Sequence, residues 1–316
     1  MILAVDTSCY TTSMIVVATE DGRILFEQNK LLTVKPGERG LRQSEGFFQH
    51  VHNLTEAYDA LSKKIDPRKL KAVAVSSRPR PVEGSYMPVF HSGLLFSLNI
   101  ANTLGIPLFQ TSHQEGHLMA AIRTCGLKEA PARFTGLHLS GGTTEILSVI
   151  TKADGFEVEM LGGSLDLNFG QLIDRIGVGL GMAFPCGREM DGLASEVQHH
   201  DSFKVKLKQE LSFNLSGFEN KYMEMIGTAS PAWICRHVFN TISDLLKQLI
   251  MNMPAGQPVI LSGGVASNQL IQSQIGAHFS GKSIYYALPE YARDNAYGTA
   301  ELGRKAFWLA QEVSHA

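Results

Sequence analysis

Short runs of residues, either apolar or alternating between apolar and polar, come before longer segments whose apolar residues recur at helical spacing. The same order of elements occurs twice along this chain. In the first half, the run at 2–5 and the two runs that flank a Gly turn beginning at Asp21 are predicted to form three strands. In the second half, the run at 134–139 and the runs that flank a second turn, beginning at Asp154, repeat the pattern. A Thr-Thr pair opens the second run each time. An internal repeat of this kind outweighs any single strand assignment, so we expect two related units.

A helical stripe and then an apolar strand follow each unit. The strands at 70–77 and 258–264 come after stripes whose apolar residues recur every three or four positions. We therefore expect a duplicated α/β fold with a ligand cleft between its halves. The first stripe packs in the core or, because its spacing is close to a heptad, offers a face to a partner helix. The stripes are formed by Phe47, Val51, Leu54, Tyr58 and Leu61 and by Val238, Ile242, Leu245 and Leu249.

The composition of the 316 residues, 44% hydrophobic and 18% charged, is that of a globular protein. The net charge of −2 does not demand a polyanionic partner, although it is compatible with a local basic patch. Four scattered cysteines without a C-x-x-C pair fit a reducing compartment. The first residues lack the basic start of a signal peptide, and no apolar run reaches the length of about 18 residues that a membrane span needs. We therefore expect a cytoplasmic protein.

Two histidines in the stretch TSHQEGHLMA are spaced to bind one metal ion. His113 and His117 lie four residues apart, which places both imidazoles on one face of a helix. Asp294, in the stretch ARDNAYG, is the best third ligand, and two histidines with one carboxylate suit Fe²⁺ or Zn²⁺. Taken alone, the two histidines would be interpreted by default as solvated residues on the surface of a helix. A zinc protease is excluded, because its glutamate follows the first histidine directly, whereas Glu115 stands one position later.

Two Ser-Gly-Gly turns, at 140–142 and 262–264, each follow an apolar strand. Glycine lets backbone N–H groups approach a phosphate closely, although either turn alone is often only a tight turn. Their symmetric placement in a duplicated fold favours nucleotide binding, and Asn268 follows the second turn at a suitable place for a ribose or base. The segment 165–194 is predicted to form a helix and its exit loop, with glycines that either contact the nucleotide or pack closely.

The motifs SHQEGH, LSGGTTE, LSGGVASN and RDNA occur in this order over nearly the whole chain. Together with the repeat, they make the chain resemble the TsaD family, the threonylcarbamoyl transferases of tRNA modification. The resemblance implies the actin/hexokinase/Hsp70-like (ASKHA) α/β fold, with two ribonuclease H-like halves. We predict an N-terminal half at 1–110, completed by a C-terminal helix at 295–316, and a second half at 111–294 that carries the metal and nucleotide site.

The resemblance also implies ligands, partners and a reaction. Family members hold a metal ion with residues that map to His113, His117 and Asp294. They bind an adenine nucleotide, which Mg²⁺ can accompany, and transfer a threonylcarbamoyl group from an adenylate to N6 of an adenosine in tRNA. They act with a TsaB-like paralogue and a small ATPase, and a helix at 45–62 would here bind such a paralogue or a second copy. The implied nucleotide contacts are Ser140, Gly141, Gly142, Thr143, Gly170, Asp174, Gly187, Gly263, Gly264 and Asn268.

Several positions depart from the family pattern near the reacting group. The family's E-T-S-C-D-E-T is DTSCYTT here, so Tyr10 and Thr11 replace two acidic residues. Cys9 beside them is a nucleophile, a soft metal ligand or a packed thiol. Thr143 replaces a histidine, and the only general bases to suggest are a phosphate oxygen or Asp166. We therefore predict a divergent paralogue, with Cys9, Tyr10 and Thr11 as candidate catalytic residues.

Three functions remain open at this point. The first is a metal-dependent carbamoyl-type transferase, and the second is a nucleotide- and metal-binding paralogue that regulates or scaffolds a partner. A sugar kinase or ATPase of the same fold has less support, because no sugar-binding aspartate motif is visible. Arginines on two loops either bind a phosphate or carboxylate of a ligand or are simply solvated. These are Arg39, Arg42, Arg78 and Arg80.

Overall fold

Two mixed β-sheets organise the chain. The computed structural model describes residues 1–8, 10–35, 40–127, 129–209 and 211–315. In the first sheet the strand order is β3-β2-β1-β4-β5, with β1 to β3 antiparallel and with β4 and β5 parallel to β1. Its strands are β1 (Ile2–Ser8), β2 (Thr11–Val17), β3 (Ile24–Leu31), β4 (Ala72–Arg78) and β5 (Leu108–Ser112).

The second sheet repeats this arrangement. Its strand order is β11-β10-β6-β7-β8-β9, with β6, β7 and β8 antiparallel and with β10 and β11 parallel to β6. The internal repeat predicted from the sequence is therefore confirmed, and so is the duplicated α/β architecture. The strands are β6 (Arg133–Leu139), β7 (Thr144–Thr151), β8 (Phe156–Ser164), β9 (Ser212–Phe213), β10 (Val259–Ser262) and β11 (Ile284–Tyr286).

Ten helices surround the sheets in the described ranges. The stripe predicted at 47–61 lies in α1 and the stripe at 238–249 lies in α7. The segment 165–194, predicted as one helix with an exit loop, instead forms two helices, because the chain turns between Leu180 and Cys186. The helices are α1 (Gln43–Ser62), α2 (Phe90–Leu104), α3 (His113–Thr124), α4 (Phe169–Gly179), α5 (Gly187–Ser195), α6 (Ser216–Met225), α7 (Pro231–Asn252), α8 (Gln269–His278), α9 (Pro289–Ala292) and α10 (Tyr297–His315).

The first sheet is covered on both faces. Leu3 and Val5 of β1 belong to the apolar cluster shared with α1, whereas Ile2 and Ala4 pack in the cluster that contains residues of α10. A strand buried on both faces reads as a continuous apolar run, which is why ILAV shows no alternation. The last helix, α10, therefore packs on the first sheet. The domain boundaries at residues 110 and 294 stay a prediction. No helix within the described ranges is long and apolar enough to cross a membrane.

Helices α3 and α10 touch through glycine. A Cβ atom built on Gly298 would overlap the carbonyl oxygen of Gly116, so neither helix could keep its place if a side chain were added there. Ser76 and Thr299 hydrogen-bond beside this contact, with their hydroxyl oxygens 2.9 Å apart. The close approach fixes α3 against the start of α10, and Asp294 lies just before that start.

We expect Gly298→Ala to destabilise the protein by about 1–3 kcal/mol, because the added methyl group must push the two helices apart. The free energy of unfolding from chemical denaturation measures the effect. Gly276→Ala in α8 is the matched control, since a Cβ there would meet nothing within 4 Å. That control should be neutral or stabilising by up to about 1 kcal/mol. Equal stability of the two variants would contradict the glycine contact.

Candidate metal centre and cleft

The end of β5 and the start of α3 position two histidines. The Ser112 hydroxyl accepts a hydrogen bond from the Glu115 N–H, at 3.2 Å, and the Glu115 carboxylate accepts from the Ser112 N–H, at 2.9 Å. This capping box fixes the first turn of α3, where His113 and His117 lie on one face. Glu115 is used in the cap and not as a base, in agreement with the exclusion of a zinc protease.

His113, His117 and Asp294 converge on one point. The Nε2 atoms of the two histidines are 3.0 Å apart, and Asp294 Oδ1 lies 3.3 Å from Nε2 of His117 and 3.5 Å from Nε2 of His113. The three side chains are only 15%, 3% and 20% exposed, in the order His113, His117 and Asp294. The structure thus brings together the three ligands predicted from the sequence, although 177 residues separate the second from the third.

This donor set fits a divalent metal ion. Two imidazole nitrogens and a carboxylate oxygen, all within 4.8 Å of one another, point at a common centre. Two imidazole nitrogens at this distance cannot both be unprotonated without repulsion, and an ion between them would satisfy both and the carboxylate. Histidine nitrogen with carboxylate oxygen is typical of Zn²⁺ and non-haem Fe²⁺ sites. The three residues could therefore hold such an ion.

Asp6, which the sequence analysis did not select, supports the first histidine. Its Oδ2 lies 2.9 Å from Nδ1 of His113, and its Oδ1 accepts the N–H of Ser8 at 2.9 Å. A carboxylate on the far nitrogen of a metal-binding histidine fixes the ring and its tautomer. Burial alone would lower the pKa of His113, but the carboxylates of Asp6 and Asp294 raise it to about 10. In return, His113 lowers the pKa of Asp6 against the effect of burial.

His138 of β6 is a third histidine at the centre, and the sequence analysis did not select it either. Its ring centroid lies 4.6 Å from that of His117 and 6.4 Å from that of His113. The residue is 3% exposed, and neither ring nitrogen has a hydrogen-bond partner among the described residues. Burial and the neighbouring His117 and His113 hold the pKa of His138 well below its usual value.

His113, His138 and Asp294 line a cleft with a volume of about 370 Å³. On its other wall, Arg80 forms an ion pair with Glu145, and Gln114 Nε2 donates to Glu145 Oε2 at 2.6 Å. Burial raises the pKa of Glu145 while Arg80 opposes the shift. Arg80 thus belongs to the cleft, whereas Arg39, selected with it in the sequence, lies outside the described residues. The lining includes Tyr10, Arg80, Phe90, His113, Gln114, His138, Ser140, Gly141, Gly142, Thr143, Glu145 and Asp294.

The first Ser-Gly-Gly turn opens into the same cleft. The Ser140 N–H donates to the Thr143 carbonyl at 2.9 Å, and a Cβ on Gly141 or Gly142 would meet nothing within 4 Å. Asn168 Nδ2 donates to the Gly142 carbonyl at 2.7 Å and holds the turn to the start of α4. The backbone of the turn is therefore tight and accessible to a ligand.

Two of the glycines predicted to contact the nucleotide make room for this turn. A Cβ on Gly170 would overlap the Cα of Gly141, and a Cβ on Gly263 would overlap the carbonyl of Leu139. Gly263 also has a φ of +92°, a backbone conformation that residues with a side chain rarely adopt. A Cβ on Gly264, by contrast, would meet nothing within 4 Å. Gly170 and Gly263 therefore have a packing role, as the alternative interpretation of such glycines held.

Asn268, Asp174 and Gly187 have structural partners as well. Asn268 Oδ1 accepts the Ile271 N–H at 2.9 Å and caps α8. Asp174 Oδ1 accepts the Cys186 N–H at 2.8 Å, and Asp174 also lines a smaller cavity of about 160 Å³. Gly187, predicted in an exit loop, instead begins α5. These contacts do not involve a ligand, and the nucleotide role of the three residues stays a prediction.

We expect Asp174→Asn to stabilise the protein at pH 8. Burial raises the pKa of Asp174 to about 6, so the folded state binds a proton that the unfolded state has released. Stability is therefore lost as the pH rises from about 4 to about 6, and the cost is fully present above that range. The variant should gain about 1–3 kcal/mol at pH 8 and roughly half of that at pH 5. Denaturation at both pH values measures it.

Exposed Asp201→Asn is the control for this prediction and should change stability by less than about 0.5 kcal/mol at either pH. A pH-independent change in Asp174→Asn would contradict the raised pKa as its cause. Loss of stability at both pH values would instead show that the Cys186 N–H needs a charged acceptor.

The three candidate catalytic residues have different surroundings. Cys9 lies outside the described residues. Tyr10 lines both cavities, with its ring centroid 5.4 Å from that of Phe184. Thr11 is 9% exposed at the start of β2. Of the two candidate catalytic residues that the structure describes, only Tyr10 lines the cleft.

Asp166, suggested as a general base, holds a loop instead. Its carboxylate accepts hydrogen bonds from the N–H groups of Leu167 and Leu215, at 2.6 and 2.7 Å, and from the Ser216 hydroxyl at 2.6 Å. Burial raises the pKa of Asp166, but the hydrogen bonds outweigh this effect and hold the pKa well below its usual value. A carboxylate so engaged is a poor proton acceptor, and these contacts argue against Asp166 as the base.

The paired sheets and the cleft between them define a protein of the ASKHA class, and comparison with solved structures agrees. HypF of T. kodakarensis superposes with a TM-score of 0.61 at 15% identity, covering 98% of this chain and 48% of that chain. Component A of the (R)-2-hydroxyglutaryl-CoA dehydratase of Acidaminococcus fermentans gives 0.58 at 12% identity, covering 97% of this chain and 98% of that chain. Identities this low establish the fold alone, and the predicted fold class is confirmed.

The family follows from the sequence match. The family model described as TsaD, tRNA N6-adenosine threonylcarbamoyltransferase, matches residues 44–301, so this chain belongs to the TsaD family. The tRNA N6-adenosine threonylcarbamoyltransferase of Streptococcus suis (strain 05ZYH33) is 27% identical over 315 residues, which cover 94% of this chain and 89% of that protein. The enzyme of the same name from Streptococcus pneumoniae (strain Taiwan19F-14) is also 27% identical. The resemblance predicted from the motifs is confirmed.

Proposed function

We propose that this chain is a metal-dependent, adenine-nucleotide-binding transferase of carbamoyl-type groups. The observation that carries the proposal is a single cleft lined both by His113 and Asp294, two members of the cluster with His117, and by the glycine turn at 140–142. Membership of the TsaD family, whose curated relatives are named tRNA N6-adenosine threonylcarbamoyltransferases, supports the threonylcarbamoyl group and tRNA as substrates. A solved HypF structure, of which this chain covers 46%, is described as phosphate- and nucleotide-bound, and this supports a nucleotide as a ligand of the fold.

The metal ion would be Fe²⁺ or Zn²⁺ on His113, His117 and Asp294. When bound, it would supply Lewis-acid polarisation of a carbonyl and a fixed point for the substrate. Asp6 would keep the His113 ring in the orientation and tautomer that binding needs. The low exposure of the three side chains would strengthen electrostatic interactions at the centre.

The nucleotide would lie across the glycine turns, and Mg²⁺ could accompany its phosphates. Backbone N–H groups at Gly141, Gly142 and Gly264 would hold the phosphate, because no neighbouring atom fills the space above these glycines. The same donors would stabilise the negative charge of the phosphate as it leaves. Arg80 would help to bind an anionic part of the substrate while Glu145 compensates its charge.

One observation favours a second candidate, a paralogue that binds metal and nucleotide without transfer and acts as a regulator or scaffold. Family members have acidic residues where Tyr10 and Thr11 stand here. Thr11 is buried and Tyr10 packs towards Phe184, so neither side chain replaces a carboxylate. The retained set of His113, His117 and Asp294 and the glycine turn argue against full decay of the site.

Partners are part of the proposal. Helix α1, which spans the predicted 45–62 segment, buries one face against the first sheet and leaves Phe48 and Val51 76% and 46% exposed. This apolar face would bind a TsaB-like paralogue or a second copy of the chain. A small ATPase and tRNA would complete the system.

Nucleoside mass spectrometry of tRNA tests the proposal. Cells whose own threonylcarbamoyl transferase is depleted would express this chain together with its candidate partners. Threonylcarbamoyladenosine in their tRNA, and none with Asp294→Ala, is the expected result. If the protein is folded and metal-loaded and its partners are present, but the tRNA lacks the nucleoside, the regulator would be favoured. In that case, stoichiometric nucleotide binding without turnover would identify it.

A further inference from the structure

We propose that a pocket between the end of α3 and the first half of α10 binds a small organic anion. Its phosphate or carboxylate group would lie on Arg123, Arg304 and Lys305, and a short apolar group would fill the rest of the pocket. The pocket has a volume of about 240 Å³. In the described ranges it shares no lining residue with the cleft lined by His113 and the first glycine turn, so the inference does not depend on the proposed function.

The pocket lies at the opposite end of α3 from the candidate metal centre. His113 begins this helix, and Arg123 lies in its last turn. Because an α-helix rises by about 1.5 Å per residue, the two positions are roughly 15 Å apart along the axis. An anion on Arg123 would therefore occupy a second site, separate from any ligand of the centre.

Positive charge predominates at the pocket. Its lining contains the cations Arg123, Arg304 and Lys305 and the carboxylates Glu129 and Glu301. Glu301 is 1% exposed, and its Oε2 lies 2.9 Å from Nε of Arg123 and 3.0 Å from Nη2 of Arg304. One buried carboxylate thus neutralises two guanidinium groups only in part, which leaves positive charge for a ligand.

The same contacts hold the arginines ready for an anion. The bonds to Glu301 use Nε and Nη2 of Arg304 and Nε of Arg123, and a guanidinium has five N–H donors. The hydrogen bond from Lys305 Nζ to the Lys152 carbonyl is long, at 3.4 Å, so little would be lost if the ammonium turned to a ligand. Guanidinium groups fixed in this way suit the oxygens of a phosphate or carboxylate.

The remaining wall of the pocket is apolar. It is formed by Met119, Ile122, Leu127 and Ala130, of which Met119 and Ile122 are each 3% exposed. A hydrated inorganic ion gains nothing from such a wall, whereas an alkyl or aryl group attached to the anion gains free energy by leaving water. The pocket therefore fits an organic anion better than an inorganic one.

NMR of the full chain, with ¹³C in the methionine methyl groups, tests the assignment. Met119 lines the proposed pocket and Met87 lines the cleft of His113, so the two signals report the two sites separately. The probes are butyl phosphate, butyrate and inorganic phosphate. We expect butyl phosphate to shift the Met119 signal saturably and to bind there at least about 10-fold more tightly than inorganic phosphate.

Substitution of the lysine gives the matched comparison. Lys305→Gln should weaken the binding of butyl phosphate at Met119 about 10-fold, because one charged donor is lost. Lys305→Arg keeps the charge and should retain most of the affinity. Lys63→Gln, an exposed lysine at the end of α1, is the control and should leave the titration unchanged.

Each result supports or overturns the inference. A Met119 signal that no probe shifts, an unchanged affinity in Lys305→Gln, or shifts confined to Met87 would overturn it. Equal affinities for butyl phosphate and inorganic phosphate would overturn the assignment of an organic ligand. Binding of butyrate would assign carboxylates to the site as well, and binding of butyl phosphate alone would assign phosphate esters. Failure of metal binding or of tRNA modification would reject the proposed function and leave these titrations as they are.

Discussion

His117→Ala protein is expected to lose stoichiometric Zn²⁺ or Fe²⁺, with an affinity at least about 100-fold below that of the wild type. His117 is the most buried of the three ligands, and its Nε2 faces both His113 and Asp294. Two ligands alone do not define a closed site for either ion. Metal analysis after dialysis against a competing chelator, followed by calorimetric titration, measures the loss.

Unfolding experiments give an independent test of the same prediction. An ion that binds only the folded state raises the melting temperature, so added Zn²⁺ should stabilise the wild type and not the His117→Ala protein. His278→Ala on the surface of α8 is the control and should keep one ion per chain. Full metal content in His117→Ala would place the ion elsewhere and would refute the centre.

The fold could be predicted because its signal is local and occurs twice. Each half begins with an apolar strand and a hairpin, and the Gly turn after Asp21 has its counterpart after Asp154. The stripe in α7 is buried throughout, as its helical spacing predicts. In α1 only Leu54 and Leu61 of the stripe are buried, and Val51 is exposed. Helix α2 was missed, since residues 90–104 are apolar on several faces and show no single stripe.

The candidate metal ligands could be predicted for a similar reason. The spacing of His113 and His117 fixes their common face once α3 is assumed to be a helix. Asp294 followed from the order of motifs and from its position before the last helix. Its distance to the histidines depends on the packing of α3 against α10, where Gly116 and Gly298 allow the close approach.

His138 and the packing glycines could not be predicted, because their roles depend on contacts between distant segments. In FTGLHL, His138 occupies an ordinary strand position, and only the packing of β6 beside α3 brings its ring to His117. Gly170 resembles a ligand-binding glycine in the sequence. Its role is set by the backbone of Gly141, which approaches it across the fold.

Asp6→Asn is expected to weaken metal binding by about 10- to 100-fold without abolishing it. Asparagine keeps the shape of Asp6 but removes the charge that the Nδ1 side of His113 faces at 2.9 Å. A neutral amide makes His113 a weaker electron donor and does not select one tautomer as firmly. Calorimetric titration with Zn²⁺ at constant pH measures the change, and exposed Asp59→Asn on α1 should have no effect.

The pH dependence of the metal-free protein distinguishes this role from simple packing. Because the pKa of His113 is raised to about 10, its ion pair with Asp6 and Asp294 stabilises the metal-free fold fully below pH 6.5 and is lost as the pH rises towards 10. Asp6→Asn should therefore lower stability at pH 7 and approach the wild type at pH 10. If metal affinity were unchanged while stability fell, Asp6 would serve the metal-free fold alone. A loss of metal affinity together with this pH profile would assign two roles to the Asp6 carboxylate. It would pair with the positive charge of His113 in the metal-free protein, and it would orient the His113 ring once the ion binds.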